Sequence, residues 1–289
     1  NSNGKIVSYQ QKIEAFLSAS CAGPVEIAPE LIEEFGEACK SLIAKQFFSK
    51  NTIGFGLRMS NIGQDIRQLH LQKLYGRKEV SVDTKLRMIH GDIVEALWVL
   101  IVKASGIKVL EQQKHVTLDV DGVSIPGTLD LIVLNEETGE PEVIDIKSTS
   151  YIKKFLDIMS VHNDDSFGYI PQLFGYSEAA GVKAGGLWVF DKVGGGFKIL
   201  EVATKVYDLL KWKALSKIKE TVNHFKNNKE IPPCTGVVDE MWRGKPTGNK
   251  ILGDNCKFCN YKEICHPGIS MEHCRKSEAK DKPIKWYLN

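Results

Sequence analysis

The stretch Gly127-Thr128-Leu129-Asp130, followed by Ile144-Asp145-Ile146-Lys147, most constrains what this chain can fold into. Leu129 to Leu134 is an apolar, strand-like run, and the residues between it and the second segment, Asn135-Glu136-Glu137-Thr138-Gly139-Glu140-Pro141, have turn composition. Val143 to Lys147 then reads as a second strand, so the two segments form a hairpin. Side chains alternate across a strand, which puts Asp145 and Lys147 on one face and Ile146 on the other. The hairpin brings Asp130 alongside. Two carboxylates and an ammonium so placed suit a hard divalent cation, with the ammonium holding a water or steadying a developing negative charge. An acid-x-Lys strand alone is usually a solvated face; the ordered elements around it give it weight.

Helix-like periodicity covers residues 6–20 and 29–48, with Pro29 near the start of the second stretch. Ser60 is expected to cap a helix running to about Lys73. Leu86 to Ala104 reads as a helix stopped at Gly106. Strands follow at Ile107–Leu110, His115–Val120 and Val123–Leu134, with Asp121-Gly122 as a tight turn. After the hairpin, a polar segment from Thr149 to Phe167 is expected to be mobile. Tyr169 to Ala180 reads as a helix, Gly186–Lys192 and Phe197–Ala203 as a hairpin, and Val206–Asn227 as a lysine-rich amphipathic helix. The remainder reads as irregular. The expectation is an α/β fold: a mixed central sheet flanked by helices over 86–227, a helical N-terminal region over 1–85, and a cysteine-bearing extension over 228–289.

In the helix before the sheet, Gly91 and Glu95 lie on nearly one face, four residues apart. A glycine there lets the helix approach the sheet, and Glu95 then projects toward the acids as a ligand to the ion or to its water. His90 and Asp92 are its rivals. In the later helix, Gln172 and Tyr176 share a face, where an amide and a phenol can fix a lysine or meet a phosphate.

Taken in order, Gly91-x-x-x-Glu95, Gly127-Thr128-Leu129-Asp130, Asp145-Ile146-Lys147 and Gln172-Leu173-x-x-Tyr176 resemble the PD-(D/E)XK nuclease superfamily, and within it the RecB-like and Cas4-like exonucleases. RecB-like members commonly carry histidine where this chain has Glu95; other branches use glutamate. The resemblance implies a restriction-endonuclease-like core that hydrolyses DNA phosphodiesters with Mg²⁺ or Mn²⁺. Asp130, Asp145 and the backbone carbonyl of Ile146 would hold the metal, and Glu95 would ligate it directly or through water. His90 is the alternative ligand. Lys147 would position the attacking water, with Gln172 and Tyr176 organising the site. The implied activity is an exonuclease acting on single strands or ends in recombination, repair or replication, with a phage origin included. A catalytically inactive nucleic-acid-binding or adaptor subunit is the alternative.

The chain has seven cysteines, an odd number that argues against a disulfide framework. Cys256-x-x-Cys259-x5-Cys265 has metal-ligand spacing. It is similar to the C-terminal cysteine triplet of Cas4-like and AddB-like nucleases, which implies a [4Fe–4S] cluster; structural Zn²⁺ is the alternative. Cys234 is taken as the fourth ligand, with Cys21, Cys39, Cys274, His266 and His273 as other choices.

Net charge is only +2, so any nucleic-acid surface must be local. Arg67, Lys153 and Lys154 are the candidate phosphate contacts, and Tyr151, Phe155, Phe167 and Trp242 the candidate stacking partners. The expected partner is DNA, as single strands or ends, with a homo-oligomer or a recombination protein as further partners. No apolar run approaches the roughly 20 residues that span a bilayer, so no membrane is expected and the location expected is the cytoplasm, that of the host for a phage enzyme.

Overall fold

The computed structural model describes residues 7–48, 54–76, 81–257, 259–278 and 282–288. Two helices, α1 (Tyr9–Ala22) and α2 (Pro29–Ile43), lead into a π-helical turn, Ala44–Phe48. Helix α3 (Ile66–Tyr75) follows, then the long α4 (Val82–Ala104). Strands β1 (Val109–Val120), β2 (Val123–Leu134) and β3 (Pro141–Thr149) come next, then α5 (Ile158–Asn163), α6 (Tyr169–Ala180), β4 (Lys183–Asp191), β5 (Phe197–Glu201) and α7 (Thr204–Lys226).

These strands form one five-stranded sheet in the order β1-β2-β3-β4-β5. Only β3 and β4 run parallel, because α6 carries the chain across between them; the other pairs are antiparallel. The sheet is a mixed one between helical layers. On one side Ile13 of α1 and Trp98 and Val102 of α4 pack with Leu131, Val133, Ile144 and Ile146. On the other, Leu173 and Phe174 of α6 and Leu210 and Ile218 of α7 pack with Leu129, Ile132 and Val143. Met59 and Ile62, from the stretch before α3, are fully buried in that second layer. Among the described residues, no helix is long and apolar enough to cross a membrane.

Four local expectations are corrected. The cap of α3 is Asp65, whose carboxylate accepts the Gln68 N–H at 3.0 Å, and not Ser60. The Ile107–Leu110 and His115–Val120 segments are not two strands; β1 is continuous from Val109, with an irregularity between Val109 and Glu111 and a positive φ of 47° at Gln113. The 149–167 segment holds a 3-10 turn, Ile152–Lys154, and α5, which buries Ile158 and Val161 in the core. Residues after 228 are not irregular. They build a second, four-stranded sheet, order β6-β7-β9-β8, from β6 (Val237–Trp242), β7 (Lys245–Leu252), β8 (Ser270–His273) and β9 (Ile284–Tyr287).

Hydrophobic patterning does not reveal this small sheet because a buried charge sits at its centre. Glu240 is fully buried and accepts hydrogen bonds from Tyr287 (2.6 Å), Thr247 and Asn249 (2.8 Å each) and Lys285 (2.9 Å). Burial pushes its carboxyl up, but the bonds from Asn249, Tyr287, Lys285 and Thr247 more than offset this and hold it well below the usual carboxylate range.

Candidate active site

The ladder between β2 and β3 runs from Leu134↔Pro141 to Leu131↔Ile144. One residue further, backbone pairing gives way to a side chain: Asp130 Oδ2 accepts the Ile146 N–H at 2.7 Å. The inward pattern of β2 slips at the same place, since Leu129 and Leu131 pack on opposite sides of the sheet. The strands therefore part at Asp130, and the opening is filled by polar side chains.

Asp145 and Lys147 share the face of β3 turned toward α6, while Ile146 packs into the α4 layer. Asp145 is 1% exposed. Lys147 Nζ lies 2.6 Å from Asp145 Oδ2, 3.2 Å from Gln172 Oε1 and 5.2 Å from the Tyr169 ring centre. Gln172 Nε2 donates in turn to the Tyr176 hydroxyl at 3.4 Å. Helix α6 thus offers one stripe, Tyr169, Gln172 and Tyr176, to the lysine. Tyr169 was not singled out in the sequence, although its spacing of three and seven from the other two marks the same helical face. Asp165 was also missed. It bonds the N–H groups of Tyr169 and Ile170 at 2.7 and 2.8 Å and so tethers the start of α6.

Glu95 reaches the cluster from α4, where it accepts a hydrogen bond from Gln113 Nε2 at 3.0 Å. Burial raises the carboxyls of Glu95, Asp130 and Asp145. For Asp130 the rise is large, with the Glu95 and Asp145 charges adding to burial. Burial acts the other way on Lys147, but the Asp145 and Asp130 charges outweigh it and hold the ammonium charged. The Tyr176 phenol is pushed up to about 12 by burial.

The unsatisfied atom points to a ligand. Both oxygens of Asp145 are buried: Oδ2 pairs with the Lys147 ammonium at 2.6 Å, and no well-directed donor reaches Oδ1 among the described residues. A buried carboxylate oxygen left unpaired is costly unless a further donor or cation completes its surroundings. Three carboxylates facing one lysine leave excess negative charge, and a divalent ion fits that deficit. His90 is exposed on α4, so Glu95 takes the position for which both were considered.

Two glycines near the site differ in what they permit. A Cβ at Gly91 would lie 3.4 Å from Ser148 Oγ, an ordinary contact, so the approach of α4 does not require glycine. A Cβ at Gly127 would fall 2.5 Å from Met59 Cβ and 2.7 Å from Tyr176 Cε1. Gly127→Ala is therefore expected to cost about 1–3 kcal/mol of stability through overpacking. It should also lower activity by displacing Tyr176, and a melt paired with an activity assay checks both; an unaltered variant would show that the contact relaxes freely.

The candidate phosphate contacts are dispersed. Lys153 and Lys154 are exposed on the 3-10 turn, with Lys154 3.7 Å from Asp164. Arg67, expected to contact nucleic acid, instead serves the cysteine region: Nε donates to Cys265 Sγ at 3.2 Å and Nη1 to the Pro232 carbonyl at 2.6 Å. Phe155 and Phe167 both stack with Tyr169, with ring centres 6.4 and 5.6 Å away.

The cysteines gather at a second place. Cys234 Sγ is 3.8 Å from Cys256 Sγ and 3.2 Å from His266 Nε2, and these three donors lie within 4.8 Å of one another. Cys259 and Cys265 line the same small cavity. Gly236 permits this closeness, since a Cβ there would lie 1.9 Å from Cys256 Sγ. Burial and the Cys234 thiol push the Cys256 thiol up to about 12, so a bound cation is needed to ionise it. Cys274 lies elsewhere, against Glu240, and Cys21 is exposed.

A family model described as the PD-(D/E)XK nuclease superfamily matches residues 63–266. A search of curated proteins found no match. Among solved structures, "Crystal structure of SSO0001" is similar at 16% identity and a TM-score of 0.47, covering 80% of this chain and 94% of that one.

Proposed function

Because the chain belongs to the PD-(D/E)XK nuclease superfamily, we propose that it is a deoxyribonuclease of the RecB-like and Cas4-like kind, dependent on Mg²⁺ or Mn²⁺, that cuts from the ends of DNA strands. The observation that carries this reading is the buried cluster itself: Asp145, 1% exposed and paired at 2.6 Å with Lys147, beside Asp130 and Glu95, with burial raising all three carboxyls.

Asp130 and Asp145 would hold the metal together with the Ile146 carbonyl, and Glu95 would bind it directly or through water. The bound ion would supply charge neutralisation at the scissile phosphate and lower the pKa of a water. Lys147, charged and fixed by Gln172, holds the attacking water toward phosphorus. Tyr176 accepts from Gln172, which accepts from Lys147, so the lysine would stay in place with Asp145 holding a metal. The stacked rings of Phe155, Tyr169 and Phe167 offer a platform for unpaired bases beside this lysine, which favours a single strand.

The test compares linear with closed circular DNA, single- and double-stranded, in Mn²⁺. Loss of linear single strands with circles intact supports the reading. Efficient cutting of circles removes its end-directed part, and no cutting of any DNA in Mg²⁺ or Mn²⁺ removes the enzyme.

Metal binding is expected to weaken as the pH falls, beginning above the usual carboxylate range. The carboxyls of Asp130, Asp145 and Glu95 are all raised by burial, so protons compete with the cation sooner than at ordinary acids. Each proton displaced on binding changes the affinity by about tenfold per pH unit. Mn²⁺ isotherms between pH 8 and pH 5.5 check this, and a flat dependence contradicts it.

For the cysteine cavity we propose a [4Fe–4S] cluster on Cys234, Cys256, Cys259 and Cys265, with a structural role. One observation favours a single Zn²⁺ instead: three donors within 4.8 Å, His266 among them, suit one tetrahedral ion. Iron and zinc analysis with a visible spectrum separates the two.

A further inference from the structure

Residues two apart in a strand share a face of the sheet, and residues paired across an antiparallel ladder share it too. Strands β1 and β2 break this rule together. Gln112 pairs with Leu131 and Lys114 with Leu129, yet Leu131 packs in the α4 layer and Leu129 in the α6 layer. Each strand therefore turns over between those two pairs. The rung that absorbs the turn is Gln113 opposite Asp130. On β1 the backbone records it: Gln113 has a φ of 47°, in the left-handed region that suits glycine and strains most other residues. Gln112 and Gln113, adjacent in the strand, also border the same cleft beside α2 and α4, which regular alternation forbids.

The side chain at this turn has a task. Gln113 is exposed, and its Nε2 donates to Glu95 Oε1 at 3.0 Å. Burial raises the Glu95 carboxyl, the Lys147 charge lowers it, and the Asp92 and Asp145 charges raise it further. A carboxylate so placed is pushed away from the other acids until an ion arrives. An amide can hold it there without adding charge. A lysine in the same place would compete with a cation for the carboxylate, and an acid would repel it. Turns of this kind beside a site re-aim a side chain, and backbone strain persists where the surrounding structure imposes it.

We infer that Gln113 is a positioning residue of the metal site. Its left-handed turn lets Asp130 leave the ladder, and its amide aims Glu95 at the ion that Asp130 and Asp145 would hold. The inference rests on the proposed metal site and deepens it: β1 contributes a residue beside those of α4, β2, β3 and α6. Gln113 acts through Glu95.

The test measures the Mn²⁺ affinity of the full chain without DNA, by electron paramagnetic resonance of the free ion, beside the melting temperature of the metal-free protein. Gln113→Gly keeps the backbone conformation and removes the amide. It should weaken Mn²⁺ binding by about tenfold to a hundredfold, as loss of a ligand's hydrogen-bond partner does, while the metal-free protein melts at or above the wild type. Unchanged affinity overturns the inference. In a Glu95→Ala background, where Asp130 and Asp145 remain, the same substitution should change the affinity no further, because its route to the ion is gone. An equal loss in both backgrounds would make Gln113 a residue of the fold and overturn its positioning role. Gln113→Ala should melt below Gln113→Gly, since glycine takes this φ without strain; equal melting temperatures overturn the backbone half. End-labelled single strands in Mn²⁺ separate the inference from the nuclease reading. Weakened Mn²⁺ binding in Gln113→Gly, with no DNA cut even by the wild type, upholds the positioning role and removes the nuclease. Cutting by the wild type, with unchanged Mn²⁺ affinity in the variant, does the reverse. A wild type that binds no Mn²⁺ overturns both.

Discussion

Asp130→Asn is expected to abolish metal-dependent cutting, by about a thousandfold or more, while the metal-free protein melts at or above the wild-type temperature near pH 7. The loss corresponds to several kcal/mol of charge stabilisation at the phosphate. The stability gain follows from linkage. Burial, with the Glu95 and Asp145 charges, raises the folded-state pKa of Asp130 well above its ordinary value. Stability from such a group is fully present below the unfolded pKa and is lost as the pH rises toward the folded one. At neutral pH the wild type therefore carries a penalty that the amide removes, and the amide oxygen can still accept the Ile146 N–H. The difference should close near pH 4, where both states of the wild type take up the proton. Adding Mn²⁺ should reverse the order, since the ion stabilises only the protein that binds it. Melts at pH 7 and pH 4, with and without Mn²⁺, give four numbers with assigned signs. A variant that melts well below the wild type in the absence of metal would show that Asp130 serves the fold first.

Removing the metal from the cysteine cavity, or Cys256→Ala, is expected to release the C-terminal extension from the core. Structural thiolate sites contribute on the order of 10 kcal/mol of apparent binding energy, which is folding energy when the site exists only in the folded state. Other ties between extension and core run through α3 and the residue after it. Arg67 of α3 bonds Cys265 and Pro232, Tyr261 bonds the Gly76 carbonyl, and Leu71 packs on Cys259 and Tyr261. Two of these ties run through the cavity cysteines. Limited proteolysis should then cut after α7 in the variant and not in the metal-loaded protein, with a separate low-temperature melting transition. Unchanged proteolysis and an unchanged melt would show that the Glu240-centred sheet holds without metal.

The helices and strands of the core were legible because their apolar residues follow the period of their element. Leu129 to Leu134 and Tyr169 to Ala180 are examples, and the order of the acids along them identified the family before any contact was seen. The C-terminal sheet was not legible, since its strands alternate around Glu240 and not around an apolar row. Nor was the role of Met59: its partners, Gly127 and Gly175, lie far along the chain. Arg67 read as a surface cation because nothing local shows that its partners stand 165 and 198 residues away.

The chain alone therefore settled which chemistry is present: three carboxylates, a lysine and a set of thiols, carried on elements whose type their neighbours impose. Tertiary structure decided what surrounds them. The parting of β2 from β3 at Asp130, the burial of Asp145 against Lys147, and the approach of Glu95 from α4 are all absent from local pattern. The reason is physical: periodicity reports which face of an element is apolar, whereas desolvation and cavities depend on what the rest of the chain places against that face.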